Sequence, residues 1–207
     1  MAKEGESSKR WTGAFGAAYT ERNRDETIQE VNAEYKERFG VTQTTLFEDL
    51  FDGIDRNARI LEVGCGVGVQ LEILEGLGFD HLYGLDLQRG ALKVADRHRQ
   101  VIRTVQGAAQ CLQFDDNSFD IVCTIGVLIH IPPDVIEAAL DEIVRCSKRW
   151  IIGSEYYAPT QTELLYRGQR GVMWKNDFSD LYTTNRNVEL VDAEIIEYMG
   201  EEIKNRR

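Results

Sequence analysis

An apolar run, Ile60-Leu61-Glu62-Val63, passes directly into Gly64-Cys65-Gly66-Val67-Gly68, and a second short segment, Tyr83-Gly84-Leu85, ends on Asp86. Alternating glycines suit a turn whose backbone lies against a ligand, because a residue without Cβ neither blocks close approach nor resists positive φ. A carboxylate closing the next strand suits a bidentate grip on two ribose hydroxyls. Together these features place a nucleoside on the end of a parallel sheet.

Spacing decides which nucleoside. A dinucleotide fingerprint needs Gly-x-Gly-x-x-Gly with a pyrophosphate on the helix N-terminus. Here the third glycine comes one residue early, and Glu62 stands two residues before the first. That carboxylate repels a pyrophosphate and attracts an ammonium or sulfonium group. An NAD-dependent dehydrogenase is therefore disfavoured. With Phe114-Asp115-Asp116-Asn117-Ser118-Phe119-Asp120 following in order, the pattern resembles the class I S-adenosylmethionine-dependent methyltransferases. The resemblance implies that Glu62 and the backbone of Gly64, Cys65 and Gly66 meet the methionine amino group and sulfonium end. It also implies that Asp86 takes the ribose and Leu87 flanks adenine. Relatives carry an acid after the third strand, whereas this chain has Gly107-Ala108-Ala109-Gln110. Adenine recognition then falls to backbone groups at Ala109 or to Gln110.

Methyl transfer from a sulfonium needs an acceptor lone pair in line with an already activated carbon, so much of the catalysis is proximity and orientation. A base matters where the acceptor must lose a proton. The segment Thr124-Ile125-Gly126-Val127-Leu128-Ile129-His130 leaves the carboxyl end of the fourth strand, where open α/β sheets bind ligands. It supplies a floor at Gly126 and a candidate base or orienting group at His130.

Segments further out, Trp11 to Asn23, Glu155-Tyr156-Tyr157-Ala158-Pro159, Tyr166-Arg167-Gly168 and Trp174 to Phe178, resemble the pseudaminic acid biosynthesis-associated methylases. That resemblance implies a small polar acceptor, a sugar or amino-acid derivative, methylated at oxygen or nitrogen. Tyr19 and Arg22 are placed to bind the cofactor carboxylate, for which a guanidinium fork is matched. Glu155, Tyr156 and Tyr157 end the fifth strand at the mouth of the site, and Glu155 is read as a contact to the acceptor. Arg167, Arg170 and Lys175 form a local basic excess in an acidic chain. They are read as the grip on an anionic acceptor, with Tyr156 or Tyr157 positioning its nucleophile. A non-catalytic module that binds the same cofactor would need the same glycine loop, and turnover separates the two.

These residues need a scaffold. Residues 1 to about 10 read as a frayed lead, and helical patterns at 25–39 and 42–50 precede the first strand and cap the cofactor end. The chain then alternates: strand 58–63, helix 68–77, strand 81–86, helix 89–99, strands 101–106 and 119–125, a helix from Pro133 to Cys146, and strand 150–155. Alternation of this kind specifies an α/β, Rossmann-like fold with a mostly parallel sheet and helices on both faces. The expectation is one methyltransferase domain over 1–207, with a helical cap at 1–53 and the sheet at 54–207. Residues 161–166 read as a weak helix, 177–182 as a short helix and 188–196 as a strand. Class I methyltransferases finish in strand order 3-2-1-4-5-7-6, so a single late strand implies either an abbreviated last hairpin or the lack of a strand that relatives have.

Composition bounds the rest. The 207 residues carry a net charge of -11, against the basic face of a nucleic-acid binder. Hydrophobic residues make up 43% of the chain, enough for one core. No run reaches the ~20 apolar residues of a membrane span, and the first ten residues lack a signal-peptide core. A cytoplasmic protein, monomer or homodimer, is expected. Cys65, Cys111, Cys123 and Cys146 show no metal-ligand spacing, so free thiols and no metal are expected.

Overall fold

The computed structural model describes residues 6–96 and 101–199. Five parallel strands form the central sheet: β1 (Ile60–Val63), β2 (Leu82–Asp86), β3 (Ile102–Gln106), β4 (Phe119–Ile125) and β5 (Ser147–Ser154), in spatial order β3-β2-β1-β4-β5. The order reverses between β1 and β4, and a crevice at that switch point is where such sheets bind ligands. β1 is buried at all four positions, as a central parallel strand must be.

Before the sheet come α1 (Glu6–Thr12), α2 (Ala14–Asn23), α3 (Ile28–Phe39) and α4 (Gln43–Leu50). Thr27 and Glu30 close a capping box on α3, and the Thr42 side chain caps α4. These caps satisfy amides that a helix start leaves unpaired. The crossovers are α5 (Val69–Gly76), α6 (Arg89–Ala95) and α7 (Ile136–Cys146). The last three residues of the expected 89–99 helix lie outside the described residues. One apolar layer, with Phe47, Phe51, Ile60, Leu71, Leu74 and Ile121, joins α4 and α5 to the sheet. The other, with Leu61, Val122, Leu140 and Ile143, joins α7 to the opposite face. Three of the four cysteines are buried free thiols; Cys111 is exposed.

Three expectations are corrected. Residues 6–12, read as a frayed lead up to about residue 10, form α1. Residues 161–166 are not helical: β6 (Thr162–Glu163) pairs antiparallel with β7 (Trp174–Lys175). Within that loop Tyr166 and Gln169 exchange backbone hydrogen bonds of 3.0 and 2.9 Å across Arg167 and Gly168, both at positive φ (49° and 73°). Two left-handed central residues make a type I′ turn, which no helix accommodates. Finally, 188–196 holds no strand. After α8 (Phe178–Thr184) the described residues 185–199 run without regular structure, with Leu190, Val191 and Ile195 exposed. It is tied instead to α3, where the Met199 amide donates to the Arg38 carbonyl at 2.7 Å and Tyr198 meets Phe39 edge-on. Among the described residues the sheet therefore ends at β5.

Candidate active site

A cavity of about 520 Å³ opens at the carboxyl ends of β1, β2 and β4 and is closed over by α1 and α2, within the usual range for small-molecule sites. Its two ends are built differently.

At the first end the backbone makes the wall. The Gly64 and Cys65 amides both donate to the Leu85 carbonyl, at 2.6 and 3.0 Å, which pins the glycine turn to the end of β2. Gly64, Gly66 and Gly68 take φ of 77°, 53° and 91°, a region L side chains avoid. Asp86 faces this turn and accepts from the Gly66 amide at 3.0 Å and the Gln88 amide at 2.7 Å. Each oxygen carries one such bond and keeps a lone pair for a hydroxyl donor. Burial raises the Asp86 carboxyl above its ordinary range, opposed by those two amides. Leu87, Ala109 and Gln110 line the same end.

Glu62 stands behind this wall. Its side chain is 1% exposed, it does not line the cavity, and its Oε2 has no hydrogen-bond partner. Burial first, then the Asp86 charge, push its carboxyl up to about 8. A buried acceptor without a donor is costly and calls for an explanation. A Cβ built on Gly66 or Gly126 meets nothing within 4 Å, so both leave open wall. An orphaned acid and a side-chain-free cradle fit a ligand that brings an ammonium and lies on the backbone.

At the second end side chains from distant segments converge. His130 follows β4 on a 3-10 turn (Leu128–His130) and lines the cavity. Its Nδ1 lies 2.7 Å from the Val172 carbonyl. A carbonyl only accepts, so Nδ1 carries the proton and Nε2 presents a lone pair. Burial lowers the ring to about 4, so the imidazole is neutral near pH 7. The Trp11 ring packs edge-on against it at 4.8 Å and against Tyr19 at 5.5 Å. Arg10 bridges from α1 to the Arg170 and Gly171 carbonyls, both at 3.1 Å. The Thr20 hydroxyl donates to the Gln88 side-chain oxygen at 3.0 Å, tying α2 to the end of β2. Tyr19 lines the cavity; burial, then Tyr166, Glu26 and Asp86, hold its phenol protonated.

Of the residues expected at the site, Tyr19, Gly64, Cys65, Gly66, Asp86, Leu87, Ala109, Gln110, Gly126 and His130 stand on the cavity wall. Others do not. Arg22 is exposed on the outer face of α2, its guanidinium 5.7 Å from the Tyr19 ring. Tyr156 and Tyr157 are led away where their segment pairs with Asn176, and Tyr157 is 44% exposed. Arg167 occupies the tip of the type I′ turn beside Tyr166. Arg170 pairs loosely with Glu163 at 3.9 Å, and Lys175 sits in β7 opposite Thr162. The Glu155 carboxylate accepts from the Val127, Leu128 and Ile129 amides at 3.1, 3.1 and 3.4 Å. Sequence reasoning passed over Arg10, Asn23, Glu26, Gln88 and Asp134, which line the cavity. Only Gln88, two residues beyond Asp86, carried a local signal.

Residues 61–149 match the family model described as a methyltransferase domain. Demethylmenaquinone methyltransferase of Renibacterium salmoninarum is 35% identical over 104 residues, 49% of this chain and 43% of that protein. Ubiquinone biosynthesis O-methyltransferase of Neisseria meningitidis serogroup C is 28% identical over 97 residues, 44% of this chain and 41% of that protein. The chain thus spans less than half the length of these curated relatives. Among solved structures, Haemonchus contortus phospholethanolamine N-methyltransferase 2, in complex with phosphomonomethylethanolamine and S-adenosylhomocysteine, superposes with a TM-score of 0.64. The identity is 16%, over 86% of this chain and 43% of that one. The match to a methyltransferase domain thus spans β1 to the start of β5, on a parallel sheet of Rossmann-like fold.

Proposed function

We propose that the protein transfers a methyl group from S-adenosylmethionine to an oxygen or nitrogen of a small polar molecule. The observation that carries this reading is a single cavity joining the glycine turn and Asp86 at one end to His130 at the other. When bound, S-adenosylmethionine supplies an electrophilic methyl group on a positively charged sulfur. Asp86 would hold the ribose hydroxyls, Gly64 and Gly66 would let the chain lie against the ligand, and Glu62 would balance the amino group. Leu87, Ala109 and Gln110 would enclose adenine, without the acid found in relatives.

His130, neutral with a free Nε2 lone pair, would accept a hydrogen bond from the acceptor's O–H or N–H and so orient the attacking lone pair. A ring that protonates only near pH 4 is a weak base, so its contribution is alignment more than proton removal. Among the described residues Arg10 is the one guanidinium on the cavity wall. It takes over the anion-binding role expected of Arg167, Arg170 and Lys175. The resemblance to pseudaminic acid-associated methylases supports a sugar or amino-acid derivative as acceptor. The cap at 1–53 and the sheet at 54–207 would act as one unit, since the cavity draws its walls from both.

The test is release of S-adenosylhomocysteine from S-adenosylmethionine across a panel of small amines, hydroxy acids and sugar phosphates. Turnover with an anionic member sustains the proposal. Tight binding of S-adenosylhomocysteine with no turnover on any member would mark a cofactor-binding module instead.

A further inference from the structure

The turn that carries His130 has no capping side chain of its own: Val127, at its start, makes no side-chain cap. The first amides of any helical turn lack intrahelical partners. Here they are met from another strand. Glu155 follows the last residue of β5, and its carboxylate lies across the start of the turn. Oε1 accepts from Val127 and Leu128 at 3.1 Å each, and Oε2 from Ile129 at 3.4 Å. The Gly126 amide donates to the Ser154 carbonyl at 2.9 Å, so β5 and the turn are joined just beforehand. The His130 ring is tied separately to Val172. One carboxylate therefore sets the backbone that forms the cavity wall at Gly126, Val127 and His130, while another segment sets the ring's rotation.

We propose that Glu155 is a positioning residue, whose ionised carboxylate holds the 127–129 amides so that His130 presents Nε2 to the acceptor. This rests on the methyl-transfer reading. Glu155 would thereby touch neither substrate nor cofactor, in contrast to the acceptor contact expected from sequence. Its oxygens are taken by main-chain donors that no other described residue is seen to satisfy.

The clamp is sensitive to protonation, because a protonated oxygen turned toward an N–H offers a donor where an acceptor is needed. Facing Glu155 are Thr124 from β4, Tyr35 from α3 and Tyr182 from α8, with Arg186 acting on Tyr182 from beyond α8. Burial raises the carboxyl to about 7, against the pull of the three amides. The clamp is then formed above pH 7 and released below it.

The test uses the full chain with Glu155→Gln. Hydrogen exchange is followed for the Val127, Leu128 and Ile129 amides from pH 6 to 8, after correction for intrinsic rates. In the parent protein, protection of these amides should rise through about pH 7. In Glu155→Gln it should be lower by about tenfold at pH 8 and independent of pH. With S-adenosylmethionine saturating and the panel acceptor of highest turnover, kcat should fall about tenfold while the S-adenosylhomocysteine Kd stays within about threefold. Unchanged exchange, or altered exchange with unchanged kcat, overturns the proposal. If Glu155→Gln does not fold, Glu155→Asp replaces it, shortening the reach and keeping the charge; the same losses support the clamp and their absence refutes it. Failure of the parent to bind S-adenosylhomocysteine would refute the methyl-transfer reading alone, and the exchange comparison still decides the clamp.

Discussion

The two ends of the cavity are made by opposite means. The end holding Gly64, Gly66 and Asp86 comes from residues 62–88 of one βαβ unit, and its shape is main chain pinned by main chain. The end holding His130 draws on Arg10, Trp11, Tyr19, Val127 and Gly171, segments spread over 161 positions of the sequence. Its shape depends on side chains meeting across the fold. The first end tolerates little change, because its glycines sit at positive φ. The second can be altered side chain by side chain without disturbing the sheet.

Gly64 is where the ends meet, and Gly64→Ala should have the largest effect. A Cβ there would lie 2.5 Å from Cγ2 and 2.8 Å from Cγ1 of Val127, at a φ of 77°. The left-handed conformation and the overlap together cost about 3 kcal/mol or more. A fall in Tm of several degrees, with loss of measurable S-adenosylhomocysteine binding, is expected. Adding Val127→Ala removes the two methyl overlaps and leaves the Val127 Cβ at 3.2 Å and the backbone strain in place, so it should recover part of the stability. Full recovery would mean that the two ends are coupled only through this contact.

Asp86→Ala comes next. It removes the proposed ribose grip and frees the Gly66 and Gln88 amides, and charge-assisted hydrogen bonds each contribute about 1.5–3 kcal/mol. S-adenosylhomocysteine affinity by calorimetry should drop about 100-fold or more, with the cavity's other end unaffected. An acceptor KM that rose in parallel would break the division between the ends.

How legible each part was in the sequence follows the same division. The glycine spacing, Asp86 and the βα alternation are local patterns, and β1 to β5 emerged near their expected positions. The place of His130 on the cavity wall was legible because it follows a strand whose carboxyl end opens on the crevice of such sheets. Arg167 and Lys175 were misplaced because a charge cluster shows proximity along the chain but not direction. The Arg167-Gly168 turn and the β6–β7 pairing point them away from the cavity. Glu155 was located correctly at a strand end but given the wrong partner, since the amides it binds belong to a turn nearly thirty residues earlier. Arg10 fell in a stretch read as a frayed lead, and Glu26 at the edge of the 25–39 helical pattern, just ahead of α3; neither reading says what a side chain faces.

Glu62→Gln tests whether the buried acid belongs to the first end. In the free protein its carboxyl stays protonated until about pH 8, whereas an ordinary glutamate ionises near 4.5. A raised folded value means that the stabilising contribution is fully present below pH 4.5 and is lost as pH rises through 8. The loss is on the order of 4 kcal/mol. Glu62→Gln should therefore melt higher than the parent at pH 8 and about equally at pH 4. Ligand binding should show the reverse. An ammonium demands the ionised acid, so parent affinity for S-adenosylhomocysteine should rise with pH up to about 8, by as much as about tenfold per unit. The Glu62→Gln variant, which has no proton to lose there, should flatten that slope. A slope that survives would transfer it to Asp86, whose carboxyl is raised as well.

The smallest effect expected is also the one that places the acceptor. Arg10 is the guanidinium on the wall, while Arg167 is exposed at its turn and Lys175 is paired into β7. Arg10→Ala should raise the KM of an anionic panel acceptor about tenfold, the worth of one charge-assisted contact. Part of that loss would come from the Arg170 and Gly171 carbonyls that Arg10 also bridges. Arg10→Lys separates the contributions, because it keeps the charge but not the reach with which Nη1 meets both carbonyls. Recovery of KM by lysine would assign the effect to charge on the acceptor. Failure to recover would assign it to closure of α1 over the site. Arg167→Ala and Lys175→Ala should each leave KM within about twofold, as expected of surface charges screened by water. A large rise from either would mean that the β6–β7 loop folds onto the acceptor, joining a third element to an end of the cavity now built from α1, α2 and the turn after β4.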